Sequence, residues 1–369
     1  MNILYGVPGE GLGHATRSKV VIGHLLSQGH HVYVVSSSRA YAVLAAAFPG
    51  RVHEIRGFHL AYRGLAVSKA RTAVLTLRTA PDDLRFNFAQ YRELLGDFKP
   101  ELIISDFESF SYLFAKMRRL PIISIDNMQV INRAKLNVTI PTAERGNYQL
   151  AKSIVRAKLP RSRHYFIASF FEVPLSKPHT TLVPPIIRPE ILAATPTAGG
   201  HVLVYQSATT QQDLVPLLQQ LPGQEFRVYG FNKAESHGNV QLRAFSEAGF
   251  IADLASCRAV VTNGGFSLIS EAVFLHKPVC AIPIPAQFEQ WLNAAEVEQM
   301  GYGRHFAALT ADNLRAFLQG LAGYAGALAH YRQQGNEVLF AKLAGALQDV
   351  ATRHLTHDTE PPEASWGGE

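Results

Sequence analysis

The chain has 369 residues, of which 47% are hydrophobic and 17% are charged, and its formal net charge is +6. This length and apolar content suit two hydrophobic cores of ordinary size. No stretch approaches the roughly 18 uninterrupted apolar residues that cross a bilayer, and no basic leader precedes the first apolar run, so we expect a cytoplasmic protein. The only cysteines, Cys257 and Cys280, have apolar neighbours, which argues against a disulfide framework or a thiolate metal site.

Short apolar runs alternate with helical patterns along the first half of the chain. The runs cover residues 3–7, 32–36, 102–105, 122–125 and 165–168. This alternation predicts an α/β fold in which helices cover a parallel sheet. The pattern pauses at two segments that contain proline and glycine, and we place a linker without regular structure at residues 189–200. The first domain is therefore predicted to span residues 1–188.

A second alternating series follows the linker. Its apolar runs cover residues 201–205, 227–229, 259–261 and 279–282. The series predicts a second parallel-sheet domain over residues 201–335. A helical pattern then predicts a C-terminal helix over residues 336–356, and the polar, proline-containing tail of residues 357–369 is expected to be disordered.

The first strand-to-helix turn is rich in glycine and reads Gly-Val-Pro-Gly-Glu-Gly-Leu-Gly-His from Gly6 to His14. A dinucleotide-binding turn needs glycines at positions i, i+2 and i+5. If Gly9 is position i, then His14 stands where the third glycine is required. Counting from Gly11 places Thr16 there, and no acid closes the second strand. A nucleoside-triphosphatase loop fails as well, because no Gly-Lys-Ser/Thr follows.

His14 starts a helix that we predict over residues 14–28, where the helix dipole opposes a charged imidazolium. A neutral imidazole can take a proton from a hydroxyl, so His14 is our candidate general base. The alternative is a capping or phosphate-contacting histidine. A carboxylate usually orients such a base, and both Asp106 and Asp126 follow apolar strands. We favour Asp106, with Asp126 as the rival for the same role.

The most informative segment reads Asn-Gly-Gly-Phe-Ser-Leu-Ile-Ser-Glu from Asn263 to Glu271. An apolar strand precedes it and helical spacing follows, so Gly264 and Gly265 are predicted to form a turn at a helix N-terminus. The unpaired N–H groups and the helix dipole at such a turn suit a diphosphate. Glu271 lies about two helical turns further along, where a carboxylate can accept hydrogen bonds from vicinal ribose hydroxyls.

Together with Glu289 and Gln290, this segment resembles the donor-site signature of glycosyltransferases with the GT-B fold. The branch is the one that contains the UDP-glycosyltransferases and the lipid-linked GlcNAc transferase of peptidoglycan synthesis. The resemblance implies two Rossmann-like domains that face a cleft, the first binding the acceptor and the second the nucleotide-sugar donor. It also implies that the C-terminal helix packs back on the first domain.

The resemblance assigns donor contacts residue by residue. Asn263 stands where the relatives usually carry His against the diphosphate, and Glu271 takes the place of the ribose-binding acid. Glu289 and Gln290 correspond to the acid-amide pair that contacts the donor sugar. The complete implied donor set is Gly13, Ser207, Thr209, Phe250, Ile251, Asn263, Gly264, Gly265, Phe266, Ser267, Glu271, Glu289 and Gln290.

Some members of this set depart from the family pattern. Ser207 and Thr209 lie in a turn where the relatives often have Gly-Gly-Ser, and the glycines are missing here. Phe250 and Ile251 correspond to the loop that holds the base, although plain core residues are the alternative. The chain has neither an Asp-x-Asp motif nor metal-ligand spacing, so we expect no metal and no other cofactor. Direct displacement would then invert the anomeric centre.

Residues 133–164 hold eight Lys or Arg residues and a single acid, Glu144, with apolar residues between them. One interpretation is a solvated basic helical face. The other is a patch for the acceptor or for an anionic membrane surface, which would make the protein peripheral to a membrane. Nucleic-acid binding is disfavoured because no stacking aromatic residues accompany the basic ones in series.

These observations predict a glycosyltransferase that moves a sugar from a nucleotide-diphosphate sugar to a hydroxyl acceptor in cell-envelope polysaccharide or glycolipid synthesis. The resemblance favours a UDP-sugar. No motif identifies the acceptor, for which a lipid-linked hydroxyl is one alternative. Two other functions stay open at this point: a nucleotide-sugar 2-epimerase of the same fold, and a nucleotide-sugar-binding protein without catalysis.

Overall fold

The computed structural model describes residues 1–9, 11–57, 62–63, 66–67, 69–94, 96, 98–206 and 213–358. For residues 62–63, 66–67, 69–81 and 353–358 it describes the backbone alone. The predicted phosphate-turn residues Ser207 and Thr209 lie outside the described residues, as do residues 359–369 of the predicted tail.

The first domain is built on a seven-stranded parallel sheet with the strand order β3-β2-β1-β6-β7-β8-β9, and a small antiparallel pair, β4-β5, lies apart from it. Its strands are β1 (Asn2–Gly6), β2 (His31–Ser36), β3 (Val52–Glu54), β4 (Tyr62–Arg63), β5 (Ala66–Val67), β6 (Leu102–Ser105), β7 (Ile122–Asp126), β8 (His164–Ala168) and β9 (Thr180–Val183). Its helices are α1 (Leu12–Ser27), α2 (Ser38–Ala47), α3 (Lys69–Leu94), α4 (Ser109–Arg118), α5 (Val130–Arg133), a 3₁₀ turn (Thr142–Glu144) and α6 (Arg145–Lys158).

The second domain has a seven-stranded sheet with the strand order β12-β13-β11-β10-β14-β15-β16, parallel except for the edge strand β12. Its strands are β10 (His201–Tyr205), β11 (Glu225–Tyr229), β12 (Glu235–His237), β13 (Val240–Leu242), β14 (Ala259–Thr262), β15 (Val279–Ala281) and β16 (Gly303–His305). The helices from the linker onward are α7 (Pro189–Leu192), α8 (Leu214–Gln219), α9 (Glu247–Ser256), α10 (Phe266–Phe274), α11 (Phe288–Gln299), α12 (Ala311–Gln319), α13 (Leu321–Leu328) and α14 (Glu337–Asp358).

The apolar runs of the sequence form the central strands of both sheets. Strands β6, β7 and β14 are buried along their whole length, because helices cover both faces of a parallel sheet. The register aligns Gly6 of β1 with Ser105 of β6, and Ser105 with Ser124 of β7. The segments that follow these three strands therefore leave the sheet at one edge, where ligands of open α/β sheets bind. The predicted α/β architecture is confirmed.

Helix α14 returns from the second domain to the first. Phe340 stacks on His24 of α1 at a ring-centroid distance of 3.7 Å, and Arg163 donates to the carbonyl oxygen of Asp349. The helix reaches Asp358, two residues beyond the predicted helix end at 356 and into the segment expected to be disordered. In the part of the chain that the structure describes, no helix combines the length and the apolar character needed to span a membrane.

The linker contains one short helix that the sequence did not predict. Helix α7 begins at Pro189, directly after Arg188. Proline is tolerated at the first helical position because its missing N–H would have no intrahelical partner there. The proline that we took as a break in regular structure is thus the start of this helix.

Candidate functional site

The candidate site lies where the carboxyl ends of β1, β6 and β7 face α10 and α11 of the second domain. Gly11, with φ of +86°, ends the glycine-rich turn, and α1 begins at the next residue. Asp106 follows β6 and Asn127 follows β7, so the sheet register places both beside α1. The predicted residues of the first domain therefore converge at one edge of its sheet.

His14 and Asp106, which we predicted to act together, are in contact. The Nδ1 atom of His14 lies 3.1 Å from Oδ1 of Asp106. The His14 side chain is 23% exposed, whereas the Asp106 side chain is 1% exposed. Nη2 of Arg17 lies 2.8 Å from the same Nδ1. Because a guanidinium only donates, Nε2 has a free lone pair for a substrate in the tautomer whose Nδ1 proton bonds to Asp106, and not in the one whose Nδ1 accepts from Arg17. This arrangement has the geometry of a base held by a buried carboxylate.

Arg17 completes the cluster, and our reading of the sequence missed it. Its Nε donates to Oδ2 of Asp106 at 2.7 Å, its Nη2 bonds to Oδ1 of the same carboxylate, and Ser18 Oγ donates to Oδ2 at 3.0 Å. Burial alone would raise the pKa of Asp106, but Arg17 and His14 hold that pKa well below its usual range. Arg17 follows His14 by three residues, a spacing that places both on one helical face and could have indicated the contact.

Asp126, the rival for orienting His14, is bonded elsewhere. It accepts hydrogen bonds from Ser124 Oγ at 2.6 Å and from the backbone N–H of Gln129 at 2.8 Å. Burial raises the pKa of Asp126, and the nearby charge of Asp106 raises it further. The structure thus brings Asp106 to the imidazole and uses Asp126 to hold the turn after β7.

The glycine turn of the second domain connects β14 to α10 as predicted from the sequence. Gly264 has φ of +88°, and Gly265 precedes the first residue of α10 without a side-chain cap. Asn263 donates from Nδ2 to the Ile282 carbonyl at 3.2 Å, and Asn293 of α11 donates to the Gly264 carbonyl at 3.0 Å. The turn is therefore fixed from both sides, and the N-terminus of α10 can receive an anion.

The first turns of α1 and α10 meet across the cleft. A Cβ atom at Gly13 would lie 2.5 Å from Oγ of Ser267, which is closer than side-chain atoms can approach. Both helix N-termini carry partial positive charge, so their meeting point favours a negatively charged group. Phe266, which was also predicted in this turn, has a buried side chain, and its ring centroid lies 6.0 Å from that of Phe170.

Glu271 lies further along α10 and has a partner that the sequence did not reveal. Arg188, the residue before α7, donates to Oε2 of Glu271 at 2.8 Å and to Oε1 of Glu247 at 3.0 Å. Burial raises the pKa of Glu271, and the charge of Arg188 offsets part of that effect. The side chain of Glu271 is 6% exposed, so a ligand that uses its carboxylate must share it with Arg188 or displace Arg188.

Two adjacent cavities lie beside Glu247, the second partner of Arg188. One of about 410 Å³ lies among α1, α7 and α14, and another of about 700 Å³ lies between the linker and α9; Glu190 and Glu247 line both. Of the predicted base-pocket residues, Ile251 lines the larger cavity. Phe250 is buried, with the rings of Tyr205 and Tyr229 packed edge-to-face against its ring, as the core alternative expects.

The predicted sugar-binding pair lies at the start of α11. Glu289 Oε1 accepts from Nδ2 of Asn293 at 3.1 Å and from Nδ2 of Asn127 in the first domain at 2.9 Å. Gln290 Oε1 accepts from the backbone N–H of Ile284 at 2.9 Å, which leaves its amide nitrogen as the group for a ligand. Among the residues with described positions, no three His, Cys, Asp or Glu side chains are grouped so that they could hold a metal ion.

Known sequences include a family and several relatives that this chain resembles. The sequence model of the family described as "Glycosyl transferase family 1" matches residues 1–322. Relatives from Methanosarcina mazei and Methanosarcina acetivorans, each described as an uncharacterized glycosyltransferase, are both 24% identical over 330 and 333 residues. Each of these alignments covers 82% of this chain and 85% of the relative.

Solved glycosyltransferases share the fold. The glycotransferase of kitacinnamycin superposes with a TM-score of 0.64 at 17% identity, over 95% of this chain and 99% of that one. The calicheamicin glycosyltransferase CalG4 gives 0.63 at 16% identity, over 96% and 99%. The spinosyn rhamnosyltransferase SpnG, in complex with thymidine diphosphate, gives 0.62 at 16% identity, over 93% and 100%. The predicted GT-B architecture is confirmed.

We expect Gly264→Ala to destabilise the protein while Gly265→Ala does not. A Cβ atom at Gly264 would lie 2.8 Å from the Gln290 carbonyl oxygen, and the positive φ adds backbone strain, which costs about 1–3 kcal/mol. Gly265 has φ of −62°, and a Cβ atom there would meet no other atom within 4 Å, so its variant is the matched control. Urea unfolding measures the stability of both variants. Equal free energies of unfolding would contradict the requirement for glycine at position 264.

Proposed function

We propose that this chain, which belongs to glycosyl transferase family 1 and is a glycosyltransferase, moves a sugar from a UDP-sugar to a hydroxyl acceptor and inverts the anomeric centre. The observation that carries the proposal is the meeting of two helix N-termini between His14 on one side and Glu271 on the other. A nucleotide-sugar has its diphosphate between its ribose and its sugar. In the cleft, the two helix N-termini likewise lie between Glu271, for the ribose, and His14, for the reaction at the sugar.

The acceptor would be activated by His14. Its Nε2 takes the hydroxyl proton while the acceptor oxygen forms a bond to the anomeric carbon. The bond between that carbon and the diphosphate oxygen breaks, and the electron pair leaves with the diphosphate. Asp106 holds the ring and stabilises the imidazolium that forms, since its own carboxylate stays ionised beside Arg17. Attack opposite the leaving group inverts the centre.

The departing diphosphate would bind at the first turns of α1 and α10. The N–H groups there have no intrahelical partners, and they are fixed before the reaction, so charge that develops on the leaving group is stabilised without reorganisation. The close approach of Gly13 to Ser267 supports this position, because it brings both dipoles to the same point. The Ser267 hydroxyl is a further donor at that point.

The nucleoside would lie against α9 and α10. Glu271 accepts from the ribose hydroxyls, and the loop at Ile251 holds the base beside the larger cavity. Uracil is our choice of base from the resemblance of this loop to the UDP-glycosyltransferases. SpnG, which shares the fold, was solved with thymidine diphosphate. Titration with both diphosphates therefore tests the choice of base directly.

Helix α6 supports a lipid-linked acceptor at a membrane surface. It buries only Val155, among its described side chains, and exposes Leu150 and Ile154 beside basic residues. Tyr148 on the same helix packs against Phe288, directly before Glu289, at a ring-centroid distance of 5.1 Å, so α6 lies beside the cleft with Leu150 and Ile154 on its outer side. A basic amphipathic face of this kind binds anionic lipid, and we propose that it holds the protein at the inner face of the membrane.

We expect His14→Ala to bind UDP with an affinity within a few-fold of the wild type but to lose most turnover, since a general base contributes ~10²–10⁴-fold. Asp106→Asn should also reduce turnover because the amide disorders the imidazole. His31→Ala, at an exposed histidine outside the cleft, is the matched control. Release of UDP from a UDP-sugar panel with candidate acceptors is the measurement, and full turnover in His14→Ala would disprove the base. A nucleotide-sugar 2-epimerase would instead form the epimeric UDP-sugar when no acceptor is present.

Glu271→Ala should weaken both UDP and the UDP-sugar. Loss of a charged hydrogen-bond partner costs about 1.5–3 kcal/mol, or roughly 10- to 150-fold in affinity. Gln290→Ala should weaken the UDP-sugar alone, because UDP lacks the sugar. Glu235→Ala, at an exposed glutamate of β12 that lines neither cavity, is the control. Calorimetry with both ligands measures these affinities. The assigned roles are wrong if Glu271→Ala binds both ligands as tightly as the wild type, or if Gln290→Ala weakens both ligands equally.

Reversal of charge on α6 should reduce binding to anionic vesicles. Each basic residue near such a surface contributes about 1 kcal/mol, so Arg156→Glu should lower partitioning by about tenfold or more. Ile154→Asn removes an exposed apolar side chain and should also lower it. Lys233→Glu, at an exposed lysine of the second domain, is the matched control. Cosedimentation with phosphatidylglycerol vesicles measures the effect, and equal partitioning of all variants would exclude this surface.

A further inference from the structure

Asn127 joins the two domains inside the candidate site. It follows β7, is 4% exposed, and accepts a hydrogen bond from Nη1 of Arg17 on its Oδ1. Its Nδ2 donates across the cleft to Oε1 of Glu289 at 2.9 Å. A guanidinium can only donate and an ionised carboxylate can only accept, so the two neighbours fix the orientation of the Asn127 amide.

The contacts form a continuous chain from one half of the site to the other. Asp106 binds Arg17, Arg17 binds Asn127, and Asn127 binds Glu289. Asn293 then donates both to Glu289 and to the Gly264 carbonyl of the glycine turn. The group that orients the candidate base is thereby connected to the turn proposed to hold the diphosphate. Asn127 is the member of this chain that crosses from the first domain to the second.

We propose that Asn127 is a positioning residue for glycosyl transfer, which orients Glu289 toward the donor sugar when the two domains close. The proposal rests on the proposed function. Both amide donors act on Oε1 of Glu289, so Oε2 is the oxygen that meets a sugar hydroxyl. A neutral amide suits this task, because it fixes the carboxylate without cancelling the charge that strengthens a hydrogen bond to a hydroxyl.

Asn127→Asp tests the proposal with a nearly unchanged side-chain size. The new carboxylate still accepts from Arg17, but it faces Glu289 with like charge and has no proton to donate. We expect KM for the UDP-sugar to rise by roughly tenfold or more, the usual effect of a lost charge-assisted hydrogen bond. Affinity for free UDP should stay within about twofold, because UDP has no sugar. Asn127→Ser removes the amide bridge without adding charge and should show the same split.

The pH profile separates orientation from a general structural role. Asn127 contacts Arg17 on α1 and Glu289 on α11. Arg17 in turn lies beside the charges of Asp106 and Asp126 and beside the imidazole of His14, which titrates in both wild type and variant. Two facing carboxylates raise the pKa of one of them, and a proton held between them restores a hydrogen bond. The ratio of Asn127→Asp to wild-type kcat/KM should therefore rise as pH falls from ~8 to ~5.5. A ratio that is constant with pH would contradict the proposal.

A double-mutant cycle tests whether Asn127 acts through Glu289. Asn127→Asp should weaken the UDP-sugar in the wild-type background but add little further loss in the Glu289→Ala background, because the carboxylate that Asn127 orients is then absent. Equal losses in the two backgrounds would contradict the proposal. If Asn127→Asp binds UDP-sugar like the wild type, or weakens UDP equally, the proposal is overturned. If Glu289→Ala itself leaves UDP-sugar affinity unchanged, the sugar-binding role in the proposed function fails instead.

Discussion

The close approach of α1 and α10 at Gly13 and Ser267 is the constraint on which the site depends. A side chain at position 13 would hold the two helices apart, because its Cβ would lie 2.5 Å from the Ser267 hydroxyl. With glycine there, two positively polarised helix ends meet at one point between the domains. Such a point is unfavourable unless an anion occupies it, so the geometry that brings the domains together also selects for a diphosphate.

Buried charges near that point are arranged in two pairs, one within the first domain and one that links the two domains. Arg17 neutralises Asp106 within the first domain, and Arg188 before the linker helix pairs with Glu271 of the second domain. Breaking a buried pair by removing one partner is costly, because the other charge is left without compensation. Ligand groups that share or replace these partners can therefore couple binding to the arrangement of the domains.

The fold was largely predictable because its strands are fully buried and continuous in sequence. Runs such as residues 102–105 and 122–125 are apolar almost without interruption, as expected for strands covered on both faces. The edge strand β12 and its neighbour β13 were not predicted, since each has only three residues, β12 has no apolar residue, and pairing determines their conformation. Helix α7 was missed because Pro189 signals both a break and a helix start, and the sequence does not distinguish them.

The site was predictable where chemistry lies in a local motif and not where it depends on distant contacts. His14 and the segment 263–271 carry recognisable turns, whereas Arg17 and Asn127 meet across 110 residues and Arg188 meets Glu271 across 83. Spacing in sequence contains no signal for such pairs. Phe250 shows the ambiguity of a motif position: the motif suggests a base contact, and the tyrosines packed against its ring fit the core alternative that the sequence left open.

A crystal structure with bound UDP is the most direct test of the central claim. The account predicts the diphosphate at the first turn of α10, beside the contact of Gly13 with Ser267, with the ribose hydroxyls on Glu271. Arg188 should then share that carboxylate with the ribose or move away from it. A nucleotide bound elsewhere in the cleft, with Glu271 and Arg188 unchanged and the α10 turn empty, would contradict the assignment of the second domain as the donor site.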